Sequence, residues 1–140
     1  MSVQVSRLSG NEAYILIYPE YLAMMSEIQQ ENMHRAMANS TKVQIYYSDD
    51  KVLCFWGLIP PTLLSDRAYL WLYTTEHMQE HIFSLVRHSQ RAVEDMLKDY
   101  PIIVGHGLVG NAKSLRWLRW LGAKFGEPTG QLLPFEIRAS

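Results

Sequence analysis

The stretch at residues 102–125, IIVGHGLVGNAKSLRWLRWLGAKF, constrains this 140-residue chain more than any other. Ile102, Ile103 and Val104 are apolar and β-branched, as in a strand buried on both faces. Gly105, Gly107 and Gly110 interrupt the run. A glycine in a strand often marks close approach by a ligand or a neighbouring backbone. Asn111 suits a helix N-cap, because its side-chain oxygen can accept a bond from a backbone N–H that has no partner inside the helix. Gly122 suits the left-handed position just past a helix end. Between those caps, Ser114, Trp117, Leu118 and Leu121 share one helical face, which must be buried. Lys113, Arg116 and Arg119 share the other, with Trp120 one turn beyond Arg116 and within stacking reach. Two readings stay open. The segment is an amphipathic helix with a solvated charged face, or its strand end and helix start form one wall of a binding cleft. Open α/β sheets place ligands there, just beyond the carboxyl ends of their strands.

The rest of the chain supplies partners for that strand. Residues 2–7 alternate weakly and read as a first strand, with Val3 and Val5 on one side. Residues 13–18 are apolar and fit a helix or a strand, with helix the preferred reading. Pro19 can open a new helix. Residues 21–38 then keep helical spacing through Leu22, Met25, Met33, Ala36 and Met37, and the polar cluster Gln29-Gln30-Glu31-Asn32 divides them into two pieces. Residues 42–47 and 52–59 are β-rich runs joined by Ser48-Asp49-Asp50-Lys51, a hairpin with a four-residue connection, and Pro60-Pro61 stops the second run. Residues 68–73, AYLWLY, form a fully apolar and therefore central strand. A long helix from about His77 to Asp99 buries Leu85, Val86, Ser89, Val93, Met96 and Leu97, and Pro101 enforces its stop. Residues 123–125 and 131–137 flank a Gly-Glu-Pro-Thr-Gly connection as a second hairpin, and Pro134 indicates an edge or a bulge in it.

Length allows one domain, residues 1–140, with one real core. A net charge of −1 gives no global pull toward nucleic acid or an acidic membrane. Lys113, Arg116, Arg119 and Lys124 do lie in a segment without acids, but no sequence-reading element accompanies them, so nucleic acid is not the expected partner. Cys54 stands alone in the run VLCFWGLI, where a buried structural thiol is its natural role; a reducing compartment is allowed. The start MSVQVSRLSG lacks a basic n-region and an apolar core, and no apolar run is long enough to span a bilayer. The expectation is a cytoplasmic protein, neither secreted nor membrane-bound.

The expected order is strand, helices, three strands, helix, strand, helix, two strands: a mixed α/β (α+β) chain. This order resembles the acetyl-CoA-dependent N-acetyltransferase superfamily (GNAT). The local resemblance is carried by Asn111, Trp117-Leu118-Arg119, Gly122-Ala123 and Phe125. That block is also similar to a phage-type branch, the small internal virion protein of short-tailed phages. The resemblance implies a central mixed sheet of about six to seven strands, helices on both faces, and splayed parallel strands at 68–73 and 102–110 that hold the acyl-CoA arm. It implies phosphate contacts through backbone N–H groups at 75–81, an anion site that helix N-termini can offer. The implied cofactor-binding residues are Tyr73, Thr74, Thr75, His77, Met78, Asn111 and Ser114, with Asn111 on the pantetheine.

The chain also departs from the family. Where the family has Arg, Gly and Gly in its phosphate loop, this chain has His77, Glu80 and Ile82. Close backbone approach is lost with the glycines. The family's frequent general-acid tyrosine, seven residues after the Asn, is Leu118, which cannot donate a proton. Acyl transfer to an amine still calls for proton-handling groups, and Glu76, His106, Glu31 and His34 are the candidates. Two functions therefore stay open. One is an acyl-CoA-dependent N-acyltransferase acting on an amine of a small molecule or protein, with acetyl-CoA weakly bound. The other is a non-catalytic phage protein that keeps the fold for contacts with virion or host proteins. A minor alternative is metal chemistry, because His77-Met78-Gln79-Glu80-His81 fits an inverted zinc-hydrolase pattern. On an α-helix, histidines four apart could reach one metal, but no third ligand accompanies them, and no bound metal is expected.

Overall fold

The computed structural model describes residues 4–8, 22–23, 25–41, 43–49, 51–63 and 65–139. The helix expected at 13–18, the start at Pro19 and the orientation of Val3 lie outside the described residues. In chain order the strands are β1 (Gln4–Leu8), β2 (Val43–Ser48), β3 (Lys51–Ile59), β4 (Ala68–Thr74), β5 (Ile102–Leu108), β6 (Lys124–Phe125) and β7 (Leu132–Arg138). The α-helices are α1 (Glu27–Asn39), α2 (Ile82–Asp99) and α3 (Ala112–Trp120), and a 3₁₀ helix covers Glu76–His81. The strands form a seven-stranded mixed sheet in the order β1-β2-β3-β4-β5-β7-β6. The chain contacts gather into two compact units, Met1–Pro60 with Trp71–His81, and Pro61–Leu70 with Ile82–Ser140.

In the first unit, β2 pairs antiparallel with β1 and with β3, with a bulge between Tyr46 and Tyr47. Ser48 faces Lys51 in register, so the hairpin connection is two residues rather than the four expected. Asp49 takes φ 55°, a left-handed value that Asp tolerates better than most residues. Residue 21 lies outside the described residues, and the described helix here runs from Glu27, with Gln29–Asn32 inside it rather than dividing it. The cause is a capping box: Ser26 Oγ accepts from Gln29 N–H at 3.2 Å, and Gln29 Oε1 accepts from Ser26 N–H at 3.1 Å. Leu22, Met37, Val43, Ile45 and Phe55 form the core of this unit. Trp71 lies flat against Gly57, where a Cβ would come within 2.5 Å of its ring, and its Nε1 donates to Ser40 Oγ at 2.7 Å.

In the second unit, β4 and β5 run parallel, with Ala68 opposite Ile103 and Tyr69 opposite Val104. β7 pairs antiparallel with β5 along its length and with β6 on its other side. Of the two alternatives for Pro134, an edge or a bulge, the edge is excluded, because it sits on an inner strand. Its carbonyl accepts from Gly126 N–H at 2.9 Å, just past the two-residue β6, so its missing N–H interrupts no long ladder. α2 and α3 are tied together by Trp117 Nε1, which donates to the buried Ser89 Oγ at 2.9 Å. Trp117 and Leu118 are buried as expected, whereas Ser114 and Leu121 are only half-buried. On α2, Leu85, Ser89, Val93 and Met96 are buried, and Val86 and Leu97 are half-buried at the sides of the stripe. Gly105 and Gly107 point toward packed neighbours. A Cβ on Gly105 would lie 2.6 Å from the Leu70 carbonyl oxygen, and one on Gly107 would lie 2.8 Å from Leu115.

Candidate functional site

The end of β5 and the start of α3 meet as the sequence implies. Asn111 is the N-cap, its Oδ1 accepting from Ser114 N–H at 3.2 Å. Its carboxamide Nδ2 has no partner among the described residues. Gly122 follows the helix at φ +100°, as a left-handed stop. Val109 N–H donates to the Gln131 carbonyl at 2.9 Å, which ties this junction to the start of β7. Around it lies a cleft of about 820 Å³ lined by Val109, Gly110, Asn111, Ala112, Lys113, Gly130 and Gln131. No acid lines it. One ammonium, the carboxamide of Asn111 and the positive end of a helix face it instead, which suits an extended ligand with amide and anionic groups. Gly110 has nothing within 4 Å of where a Cβ would stand. Lys113, Arg116, Arg119 and Trp120 are all exposed on α3, and the Arg119 guanidinium stacks over Phe125 at 5.6 Å.

The other face of the β4–β5–β7 sheet carries polar chemistry. Successive strand residues alternate faces, so Ile102, Val104 and His106 point away from Gly105 and Gly107. Tyr69, registered on Val104, brings its hydroxyl to 2.9 Å from His106 Nδ1. Burial pushes the Tyr69 phenol above its ordinary value, so it keeps its proton. Its one described partner is Nδ1, and we therefore assign the phenol as donor and Nδ1 as acceptor. In that arrangement the proton-bearing ring nitrogen is Nε2, and His106 is exposed. Across the sheet, Glu136 is registered on Val104 and Lys124 on Glu136. Arg138 holds Glu136 through Nε at 2.9 Å and Nη2 at 3.1 Å, and Arg67 Nη1 adds a third contact at 3.1 Å. The Arg138 hydrogen bond, with the nearby positive charges, keeps the Glu136 carboxyl below the usual carboxylate range. Tyr69, Arg67, Glu136 and Arg138 are absent from the sequence-based candidates. Only the strand register brings them together.

The remaining candidates fall elsewhere. Tyr73 stacks on Phe55 at 4.9 Å, and Met78 is buried at 4% exposure. Thr75 Oγ1 donates to the Val52 carbonyl at 2.6 Å and accepts from His77 N–H at 3.2 Å, while Met78 N–H donates to the Thr75 carbonyl at 3.2 Å. The backbone donors of His77 and Met78 are thus engaged within their own turn. Thr74 is half-buried at the end of β4. Glu31 and His34 are exposed on α1, and the side chain of Glu76 lies outside the described residues. His77 to His81 is 3₁₀ rather than α-helix, which corrects the long helix expected from His77. At three residues per turn, positions four apart point about 120° away from each other, so the shared-metal geometry of His77 and His81 is not formed. Among the described residues no group of His, Cys, Asp and Glu has the geometry to hold a metal ion. No described helix is long and apolar enough to cross a membrane.

A seven-stranded mixed sheet with a parallel β4–β5 pair and a helix leaving the end of β5 is the fold of the GNAT acetyltransferases. Three solved structures show the likeness in particular. An acetyltransferase assigned to the GNAT family from Desulfovibrio desulfuricans matches with a TM-score of 0.71 at 11% identity, over 99% of this chain and 100% of that one. The PaiA N-acetyltransferase from Thermoplasma acidophilum, in complex with coenzyme A, matches with a TM-score of 0.64 at 15% identity, over 99% and 100%. A ribosomal-protein-alanine N-acetyltransferase from Brucella melitensis matches with a TM-score of 0.65 at 15% identity, over 97% and 99%. No protein-family model and no curated protein matches the sequence. At these identities the likeness is one of fold.

Proposed function

We propose that this chain is an acyl-CoA-dependent N-acyltransferase whose strand-end cleft at Asn111 takes the acyl-CoA arm. The supporting observation is the acid-free cleft at the β5–α3 junction, where Asn111 caps the helix and keeps a free carboxamide donor. The residues present fit the group: the Asn111 Nδ2 can donate to an amide carbonyl, and Lys113 and the start of α3 favour negative charge. When bound, acetyl-CoA supplies the activated acyl group as a thioester. The chain orients that group and meets the charge that develops on the acyl oxygen during attack by an amine. His106 is the residue assigned to that second task, because Tyr69 occupies Nδ1 and the Nε2–H is a donor. Coenzyme A in the PaiA structure and the alanine acceptor named for the Brucella enzyme agree with this class of reaction. Titration calorimetry with acetyl-CoA on the purified chain tests the reading. Saturable heat that Asn111→Ala weakens is expected, and no heat refutes it.

A second reading is favoured by one observation. Leu118, at the position of the family's general acid, is buried at 4% exposure and packs as core. A chain that keeps the fold only for contacts with virion or host proteins needs no acid there. It would neither bind acetyl-CoA nor release free thiol from it in the presence of amines.

A further inference from the structure

We propose that the acceptor amine served by this chain also carries a carboxylate, held on the β4–β5–β7 sheet face by Arg67 and Arg138. The inference rests on the acyltransferase reading, but its observations are separate from the Asn111 cleft. They are an inventory of donors and acceptors on one face. Each guanidinium has five N–H donors. Arg138 spends Nε and Nη2 on Glu136, and Arg67 spends Nη1 on it, with Nε toward Asp66 at 3.9 Å. Nη2 of Arg67 and Nη1 of Arg138 remain for a ligand. Lys124, opposite Glu136 in register, is exposed and adds a third positive charge. Among the described residues the carboxylates in this group are Asp66 and Glu136, and Glu136 has both oxygens in ion pairs.

His106 presents a further donor, one pair of residues along β5 from the Val104–Glu136 row, roughly 7 Å away. A substrate bearing several ammonium groups would meet three cations, Arg67, Arg138 and Lys124, against two carboxylates, of which Glu136 has both oxygens engaged and Asp66 only Oδ1. A carboxylate-bearing amine would find paired guanidinium donors at one end and, at the other, the histidine that meets the acyl oxygen. The face thus selects an amino-acid or acidic-peptide amine over a polyamine.

The test uses the full chain labelled with ¹⁵N and two product-like probes, N-acetylglutamate and N-acetylputrescine. N-acetylglutamate is expected to shift the side-chain resonances of Arg67, Arg138 and His106. Arg67→Gln with Arg138→Gln should weaken it roughly tenfold, the loss of a charge-assisted bidentate contact. Glu136→Gln frees both guanidiniums and should tighten it. Equal or tighter binding of N-acetylputrescine, no shift with N-acetylglutamate, or unchanged affinity in the double arginine variant would each overturn the proposal. Calorimetry with acetyl-CoA on the same samples reads the acyltransferase assignment separately, so failure of one is distinguishable from failure of the other.

Discussion

Asn111 has two duties in this reading, and they can be separated by substitution. Its Oδ1 caps α3 by accepting from Ser114 N–H at 3.2 Å, while its Nδ2 is left for the ligand. Asn111→Ala removes both. Loss of a good N-cap costs about 1 kcal/mol. For a domain of this size that lowers Tm by roughly 4 °C. Loss of one neutral hydrogen bond to the ligand costs about 1 kcal/mol more in binding, or roughly fivefold in Kd. Asn111→Ser keeps an oxygen that can cap but has no carboxamide donor. It should return Tm to within about 1 °C of the parent while leaving the affinity for acetyl-CoA reduced. Thermal melts followed by circular dichroism, with calorimetry at one fixed salt concentration, give the two numbers for each variant. If Asn111→Ser restores Tm and affinity together, Asn111 acts on the ligand only by ordering α3, and the assignment of Nδ2 is wrong. If Asn111→Ala leaves Tm unchanged, the cap itself contributes nothing and the local account of α3 fails.

Two further predictions concern the scaffold. Burial pushes the Cys54 thiol from 9.0 up to about 12, so the unfolded chain loses this proton first as pH rises. The stability it contributes is whole below pH 9 and falls by about 1.4 kcal/mol per unit between the two values; urea midpoints at about pH 8 and pH 10 should show that slope in the parent and a smaller one in Cys54→Val. Gly105→Ala places a Cβ 2.5 Å from the Phe135 ring and 2.6 Å from the Leu70 carbonyl, and neither the β4 backbone nor the packed ring can yield easily. It should cost about 1–3 kcal/mol in urea unfolding, whereas Gly110→Ala, in open space, should stay within about 0.5 kcal/mol; equal effects would refute the packing account.

Local signals made the β5–α3 segment legible in the sequence. An N-cap, a buried stripe and a left-handed glycine each act within one helical turn, and Asn111, Trp117 with Leu118, and Gly122 all fall where such rules place them. The start of α1 was equally local, because Ser26 and Gln29 form a capping box by spacing alone; the apolar periodicity from Leu22 onward outweighed it. The 3₁₀ turn at Glu76–His81 was hidden for a different reason. Thr75 ties it to β3 through the Val52 carbonyl, a contact made by tertiary pairing that residues 76–81 do not encode. The Tyr69–His106 contact and the Arg67–Glu136–Arg138 cluster were hidden in the same way, since each depends on the register between strands far apart in the chain. The glycines of β5 then divide the functional question. The sequence allowed Gly105, Gly107 and Gly110 all to mark the approach of a ligand. Gly105 is accounted for by Leu70 and Phe135, and Gly107 by Leu115 and Leu118. Only Gly110 has nothing beside it, and it lines the cleft next to Asn111. Of these three glycines, the one whose backbone space packing does not explain adjoins the free carboxamide to which the acyl-CoA arm is assigned.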